Sequence, residues 1–175
     1  MHDFLKHSMA CGIICRILAS YKSRQQTEQL FVSGLLHDLG RVLLYILFPE
    51  DSLVILDNCS QSEKLLFNEE SDYLGCNHTH IVQHLIQQWK LPQTLENNIF
   101  YHHNPSEAKD PVPAAIVHVA DIITNAVGLG SSGERFVPPL DNAAWENLDL
   151  SVNVFEDVIG QAIHQLHSLE FIMQD

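Results

Sequence analysis

Residues 31–41 read FVSGLLHDLGR and place His37 beside Asp38 in a segment that is otherwise strongly apolar. An imidazole and a carboxylate are costly to bury together unless a partner satisfies their polar atoms. The two residues alone leave three explanations open. They could hydrogen-bond to each other, they could cap a cavity as a polar pair, or they could bind a metal through a hard oxygen and a borderline nitrogen.

The spacing of apolar residues predicts helices through the whole chain. We expect them over residues 4–21, 27–48, 50–58, 61–73, 78–89, 114–127 and 152–173, with one more that begins near Pro92 and ends at His102-His103. Helix 27–48 is apolar nearly all round, so we expect it to be the central buried helix, with Thr27 as its N-cap and Pro49 ending it. Residues 104–113 and 128–139 are predicted loops. No hairpin pattern and no internal repeat is evident, so the sequence predicts an all-α bundle of about seven to nine helices.

The composition of the chain limits the classes of partner that it can bind. The chain has 175 residues, enough for one domain with a sizeable core, and 9 basic against 22 acidic residues give a formal charge of −13. Nucleic-acid binding needs a cationic footprint, and an anionic membrane would repel this chain. We therefore expect neither a nucleic-acid nor a membrane partner, whereas the acidity suits a cation site.

Several features point to a reducing cytoplasm. The longest apolar run, residues 42–48, is far shorter than a membrane span, and the first residues do not resemble a signal peptide. The four cysteines form no CxxC pair. Cys11 and Cys15, four residues apart, share a helix face and are predicted to be small core residues rather than metal or disulfide partners.

Further histidines and aspartates stand at unusual places. His102-His103 closes a helix, where a solvated pair would also complement the helix dipole. Asp121 lies in the apolar helix IVHVADII on the same face as His118. Its carboxylate could be a metal ligand or could hydrogen-bond to the end of a neighbouring helix. His7 lies on the inner face of the first helix, and His78 opens the helix that follows Gly75. Taken in order, these residues lie on five helices, as a metal site in a helical core requires.

The remaining histidines receive no such role. His80 and His84 are four apart on one helix and are left unassigned, with His80 expected at the surface or at the rim of the site. His2, His164 and His167 are predicted surface residues. Met9 and Trp89 are predicted core residues.

The order His, His-Asp, His, His-His, Asp resembles that of the HD superfamily of metal-dependent phosphohydrolases. Its minimal set is matched by His7, His37, Asp38 and Asp121, and the extended set of the dinuclear HD-GYP phosphodiesterases by His78, His102 and His103. The amino-acid sequence around these residues resembles that of the HDOD branch, which is used in bacterial signalling. The similar stretches are residues 31–41, 70–78, 89–92, 102–105 and 116–121, and the resemblance spans about residues 4–150.

The resemblance implies an HD-like helical bundle with a metal site between its helices. It would hold one or two divalent transition ions (Fe, Mn, Zn or Ni) on the seven residues just named. Two departures stand out. Asn104-Pro105-Ser106 follows the double histidine where HD-GYP enzymes have Gly-Tyr-Pro, and Arg41 stands where HD enzymes often place a lysine near substrate phosphate.

The resemblance also bears on the extent of the domain. HDOD domains usually begin with a further helical segment, so we expect residues 1–175 to be a single HDOD-like domain that lacks an N-terminal lobe. Its loss would expose apolar surface and favour a homo-oligomer.

Two functions remain in view. The resemblance implies a signal-transduction module that acts on partner proteins, which we favour because Gly-Tyr-Pro is missing and cations are few. The alternative is a metal-dependent phosphohydrolase that acts on a nucleotide or another phosphoester. In that case Asp38 would ligate the metal, and Arg41 or Lys90 would neutralise the phosphate.

Overall fold

The computed structural model describes residues 2–22 and 26–172, and these residues form helices and loops but no strand. The all-α prediction is therefore confirmed. The α-helices of the described residues are α1 (His2–Lys22), α2 (Thr27–Leu36), α3 (Leu39–Leu47), α4 (Pro49–Ser62), α5 (Leu66–Leu74), α6 (His78–Gln88), α7 (Gln93–Phe100), α8 (Pro111–Val127), α9 (Asn142–Leu148) and α10 (Val154–Ile172). A 3-10 helix, Pro105–Glu107, lies between α7 and α8.

Helices α1 and α8 form the centre of the bundle. Each contributes eleven buried residues, many of them alanine or another small residue, so neighbouring backbones can approach closely. Cys11 and Cys15 lie fully buried in this core, as predicted. Gly34 of α2 packs directly on α1, because a Cβ at that position would lie 2.9 Å from the backbone of Cys11.

The predicted central helix over residues 27–48 is wrong in two respects. It is two helices, α2 and α3, separated by a turn at His37 and Asp38, and it is less buried than α1 or α8. Aspartate favours helix ends over helix interiors, and Asp38 occupies the position just before α3. Thr27 is the first helical residue of α2 and not its N-cap, which is Gln26.

The α2–α3 segment is the most apolar long stretch of the described residues. By length and composition alone, Thr27–Leu47 would be long enough to cross a membrane, with a mean hydropathy of 1.6. The expectation from the sequence rested only on the uninterrupted apolar run of residues 42–48, which is too short. In the fold this stretch is broken by the turn and carries the buried Asp38 and Arg41. Such a segment matches the core helices of a globular domain.

Other boundaries differ in smaller ways. Helix α4 starts at Pro49 itself, since proline suits a first helical turn, and α8 likewise starts at Pro111. Helix α9 was not predicted; the side chain of Asp141 caps it by accepting a hydrogen bond from the Ala144 amide at 3.0 Å. Residue 173 of the predicted last helix lies outside the described residues.

The surface predictions were mostly right. His2, His80, His84, His164 and His167 are exposed. Trp89, predicted as core, is instead 59% exposed. It closes α6, and the chain turns away directly after it at Lys90, which has a positive φ of 55°. Met9 is half-buried and packs against the main core.

Candidate metal centre

The seven residues predicted as metal ligands come together at one place in the fold. They arrive from α1, the α2–α3 turn, the start of α6, the turn after α7, and α8. They form two groups that share Asp38, and in each group the potential ligand atoms lie within 4.8 Å of one another. The groups are His7, His37, Asp38 and Asp121, and Asp38, His78, His102 and His103.

The first group has the spacing of a coordination polyhedron. The Nε2 atom of His7 lies 3.4 Å from His37 Nε2, 3.6 Å from Asp38 Oδ2 and 3.3 Å from Asp121 Oδ1. The Nε2 atom of His37 lies 3.3 Å and 3.5 Å from the same two oxygens. A tetrahedral ion with bonds of about 2.0 to 2.1 Å holds its ligand atoms about 3.3 Å apart. The four side chains are therefore spaced to surround one ion.

The second group approaches the other oxygen of Asp38. His78 Nε2 lies 3.2 Å from Asp38 Oδ1 and 3.2 Å from His103 Nε2. The rings of His102 and His103 lie 3.9 Å apart between centroids, tilted by 43° to each other. Because Asp38 offers Oδ2 to one group and Oδ1 to the other, its carboxylate is placed to bridge two ions.

The turn at residues 37–38 is what brings Asp38 to this centre. Asp38 precedes α3 but does not cap it with its side chain, so its carboxylate faces the histidines. Gly40, in the first turn of α3, lies against the backbone of His78, where an added Cβ would be 2.0 Å from the carbonyl oxygen. The absence of a side chain at position 40 lets α3 and α6 approach, and with them Asp38 and His78.

Oxygen acceptors fix the orientation of three of the rings. His37 Nδ1 bonds to the Gly34 carbonyl at 2.7 Å, and His102 Nδ1 bonds to the Ile99 carbonyl at 2.7 Å. His78 Nδ1 bonds to Glu70 Oε2 at 2.5 Å. A ring that donates its Nδ1 proton presents the lone pair of Nε2, which is the usual arrangement of a metal-bound histidine.

Arg41 lies inside the centre rather than at its surface. It is 1% exposed, and its guanidinium donates to Asp38 Oδ2 and Ser132 Oγ at 2.8 Å each and to Glu70 Oε1 at 3.1 Å. The sequence-based expectation placed Arg41 near substrate phosphate. In the structure its contacts are with two carboxylates of the protein, which it neutralises.

These contacts also set the ionisation of the centre. Burial raises the pKa of Asp38, but the positive charges of Arg41 and His37 outweigh it and hold this pKa well below its ordinary value. Hydrogen bonds from His37 and His7 do the same for Asp121 against the effect of burial. Both carboxylates are therefore ionised near neutral pH, as metal ligands must be.

Two histidines of the second group are held neutral. Burial, together with the nearby His37 and His78, lowers the pKa of His102 to about 3. Burial and the adjacent His102 lower the pKa of His103 well below its ordinary value. A neutral imidazole is the form that can coordinate an ion. His37 differs, because Asp38, Cys11 and Asp121 raise its pKa well above the ordinary value despite burial. A metal ion that binds at His37 Nε2 would therefore displace a proton.

Unsatisfied atoms supply an independent test of fit. Five buried side-chain atoms have no hydrogen-bond partner among the described residues. Three of them (His7 Nδ1, Ser8 Oγ and Arg41 Nη2) are not ligand atoms of the two groups, whereas Asp38 Oδ1 and His102 Nε2 are. Buried polar atoms without partners are uncommon and costly. Both atoms belong to the second group and face its other members, so an ion there would satisfy them. The residues present fit a metal.

Three supporting residues were not assigned from sequence. Glu70 and Ser132 hold Arg41, and Glu70 also accepts from the backbone amide of His78 at 2.9 Å. His118 bonds through Nδ1 to the His102 carbonyl at 2.7 Å and accepts at Nε2 from the Asp141 amide at 3.0 Å. Glu70 begins the stretch of residues 70–78 that resembles the HDOD family, and this position is the sequence signal that could have identified it.

The fold and this centre together define an HD-like helical domain with a two-part His/Asp cluster. The chain belongs to the HDOD domain family, whose sequence profile matches residues 1–105. It is also 30% identical over 92 residues to an uncharacterized protein of Treponema pallidum (strain Nichols), a match that covers 51% of this chain and 18% of that protein.

Solved structures share the fold. An HDOD domain protein of unknown function from Geobacter sulfurreducens matches with a TM-score of 0.77 at 18% identity, over 91% of this chain and 60% of that one. A protein described as a candidate signal-transduction protein from Marinobacter aquaeolei VT8 gives 0.79 at 20% identity, over 98% and 39%. A candidate phosphohydrolase from Shewanella amazonensis SB2B gives 0.66 at 22% identity, over 95% and 59%. This chain thus spans 39 to 60% of the length of these three proteins.

Proposed function

We propose that this HDOD domain is a regulatory module of signal transduction, built around a two-site metal centre on His7, His37, Asp38, His78, His102, His103 and Asp121. Membership of the HDOD family and the likeness to a signal-transduction protein support the regulatory part. The spacing of the ligand atoms and the unpartnered Asp38 Oδ1 and His102 Nε2 atoms support the metal part. Mixed histidine and carboxylate sites suit several transition ions, among them Fe, Mn, Zn and Ni.

One observation favours regulation over catalysis. Arg41, the cation expected at a substrate phosphate, is buried and bound to Asp38, Glu70 and Ser132. Its Nη2 atom has no hydrogen-bond partner among the described residues but is itself buried, and withdrawing the guanidinium toward a substrate would leave the two carboxylates unpaired. Lys90, the other residue considered for this role, is exposed and lies just beyond the end of α6.

The burial of the metal centre also favours regulation over catalysis. Six of the seven ligand side chains are buried, and only His103 among them is half-buried. Phe67 packs against the ring of His103 at 4.3 Å between centroids. A phosphoester needs a much larger opening than an ion does to reach ligands that are buried.

Phosphoester hydrolysis is the second candidate, and one observation favours it. Both ligand groups are complete, and Asp38 is placed to bridge them, as in two-metal hydrolytic sites. A bound divalent ion would supply Lewis-acid activation of water. The chain itself would contribute the ionised Asp38 and the rings oriented by Glu70, Gly34 and Ile99.

An activity assay separates the two candidates. Protein loaded in turn with Mn, Fe, Zn or Ni is tested on bis(p-nitrophenyl) phosphate, cyclic dinucleotides and nucleotides, beside an Asp38→Asn variant. The matched control is Asp149→Asn, an exposed position with φ of 46° that asparagine tolerates. We expect metal-loaded wild type to turn over no more substrate than Asp38→Asn. Turnover that is present in wild type and Asp149→Asn but lost in Asp38→Asn would establish the enzyme instead.

A regulatory module needs a partner, and we infer that it is a protein. The formal charge of −13 opposes binding to nucleic acid or to an anionic membrane surface, because both carry charge of the same sign.

A further inference from the structure

A second concave site lies outside the metal centre. A cavity of about 450 Å³ opens between the start of α2, α6, α7 and the start of α8. This volume lies within the range of small-molecule binding sites. None of the seven proposed metal ligands lines the cavity, although its Tyr101 directly precedes His102.

Primary amides dominate the lining. Six of the fourteen lining residues are glutamine or asparagine, namely Gln26, Gln29, Gln83, Gln93, Asn97 and Asn98. A primary amide offers a donor and an acceptor side by side in one plane. This pair matches the donor and acceptor on the edge of a nucleobase, which is how Asn and Gln read adenine.

Part of this amide surface is fixed in place. Asn98 is 3% exposed and donates to Ser33 Oγ at 3.1 Å. Asn97 donates to the Asp110 carbonyl at 2.9 Å and accepts from the Asp110 amide at 3.3 Å, which ties α7 to the start of α8. Gln83 donates to Glu96 Oε1 at 2.9 Å. The wall of the cavity is therefore ordered before any ligand arrives, which lowers the entropic cost of binding.

Two amides of the lining, those of Gln26 and Gln93, make no hydrogen bond to the described residues. Gln93, at the first turn of α7, is exposed and has no hydrogen-bond partner among the described residues. Its donor and acceptor are both open to a ligand.

Apolar surface completes the lining. Phe100 and Tyr101 are half-buried, and their rings meet edge to face at 4.8 Å between centroids. Leu30 and Pro113 add aliphatic surface. Aromatic rings provide faces on which a planar heterocycle can stack.

The charges of the lining select against a phosphate group. Lys109 is the one basic residue of the lining, while Glu96 and Asp110 are acidic. Together with the overall charge of −13, this balance opposes a multiply charged anion. A neutral ligand with a polar edge and flat apolar faces fits both the amides and the rings.

We propose that this cavity binds a neutral nitrogen heterocycle of the nucleobase or nucleoside class. Such a site would give the proposed regulatory module a small molecule to sense. It does not depend on metal occupancy, because it shares no lining residue with the metal centre.

The experiment is a calorimetric titration of the full chain with adenosine, guanosine, cytidine and uridine. We expect saturable binding of one nucleoside per chain for at least one of the four, and weaker binding of the corresponding triphosphate. Truncation of the free amide in Gln93→Ala should weaken binding about tenfold, as expected for the loss of hydrogen bonds to a ligand. Thr94→Trp places an indole at the cavity and should abolish nucleoside binding. Gln61→Ala, at an exposed glutamine remote from the cavity, should leave the affinity unchanged.

Three results would overturn the proposal. These are no binding of any of the four nucleosides at millimolar concentration, an affinity unchanged in both Gln93→Ala and Thr94→Trp, and binding that His103→Ala abolishes while Thr94→Trp does not. The last result would place the nucleoside at the metal centre. Circular dichroism confirms that each variant is folded. Metal content measured on the same samples keeps the failure of this proposal separate from the failure of the metal centre.

Discussion

Glu70 shows how much of this centre depends on a residue that touches no proposed ion position. Its carboxylate accepts from the ring and the backbone amide of His78 and from the guanidinium of Arg41. Burial raises the pKa of Glu70, but His78 and Arg41 outweigh it and lower that pKa below the ordinary value. Glu70 is therefore an ionised acceptor that holds the His78 proton on Nδ1.

We expect Glu70→Gln to weaken metal binding about 10- to 100-fold, because an amide is a poorer acceptor for the His78 ring and residues behind metal ligands typically carry effects of this size. Competition with a chelating dye measures the change. The matched control is Glu69→Gln, at the neighbouring buried glutamate, which bonds to Asn58 and Lys64 instead. Equal metal affinity in the two variants would contradict the assigned positioning role of Glu70.

At the level of helices, the contact between α3 and α6 aligns Asp38 with His78. We expect Gly40→Ala to destabilise the protein by about 1 to 3 kcal/mol, since the new methyl group must displace the backbone of His78. Gly160→Ala in α10 is the matched control, because a Cβ there meets nothing within 4 Å. Alanine should stabilise that helix by up to about 1 kcal/mol. Urea denaturation measures both changes, and a Gly40→Ala variant as stable as wild type would show that α3 can shift freely.

Sequence patterns predicted most helices and all seven members of the cluster. Three features of the structure were not predicted, each for a physical reason. The break between α2 and α3 was missed because apolar residues at helical spacing continue on both sides of His37 and Asp38, so the preference of Asp38 for a helix end was overlooked. Helix α9 has seven residues, too few for periodicity to register. The burial of Arg41 depends on Ser132, 91 residues away, and so has no local signal.

On the scale of the whole molecule, apolar side chains gather at the corner where α3 meets α4. Ile46, Leu47, Phe48 and Leu53 are each 52 to 68% exposed. Apolar patches of this kind mark association surfaces in soluble proteins. We propose this corner as the surface for the self-association that was predicted from the sequence, with a second copy of the chain as the partner.

We expect the protein to form dimers or larger species whose fraction rises with salt, since salt screens repulsion between copies that each carry −13. Leu53→Glu should shift the protein toward monomer, as measured by light scattering coupled to size exclusion. Val152→Glu is the control, because Val152 is 65% exposed on another part of the molecule. A wild-type protein that stays monomeric at high concentration and high salt would refute this prediction.

The centre as a whole is tested most directly by counting metal ions per chain in wild type and three variants, by inductively coupled plasma mass spectrometry after metal loading and desalting. Each variant removes ligands from a different part of the cluster: His7→Ala from the first group, His103→Ala from the second, and Asp38→Asn from both. We predict two ions per chain in wild type, about one in each histidine variant and close to none in Asp38→Asn, because Asp38 is the shared ligand. A folded wild-type protein that retains no ion, or an Asp38→Asn variant that retains as many ions as wild type, would contradict the account.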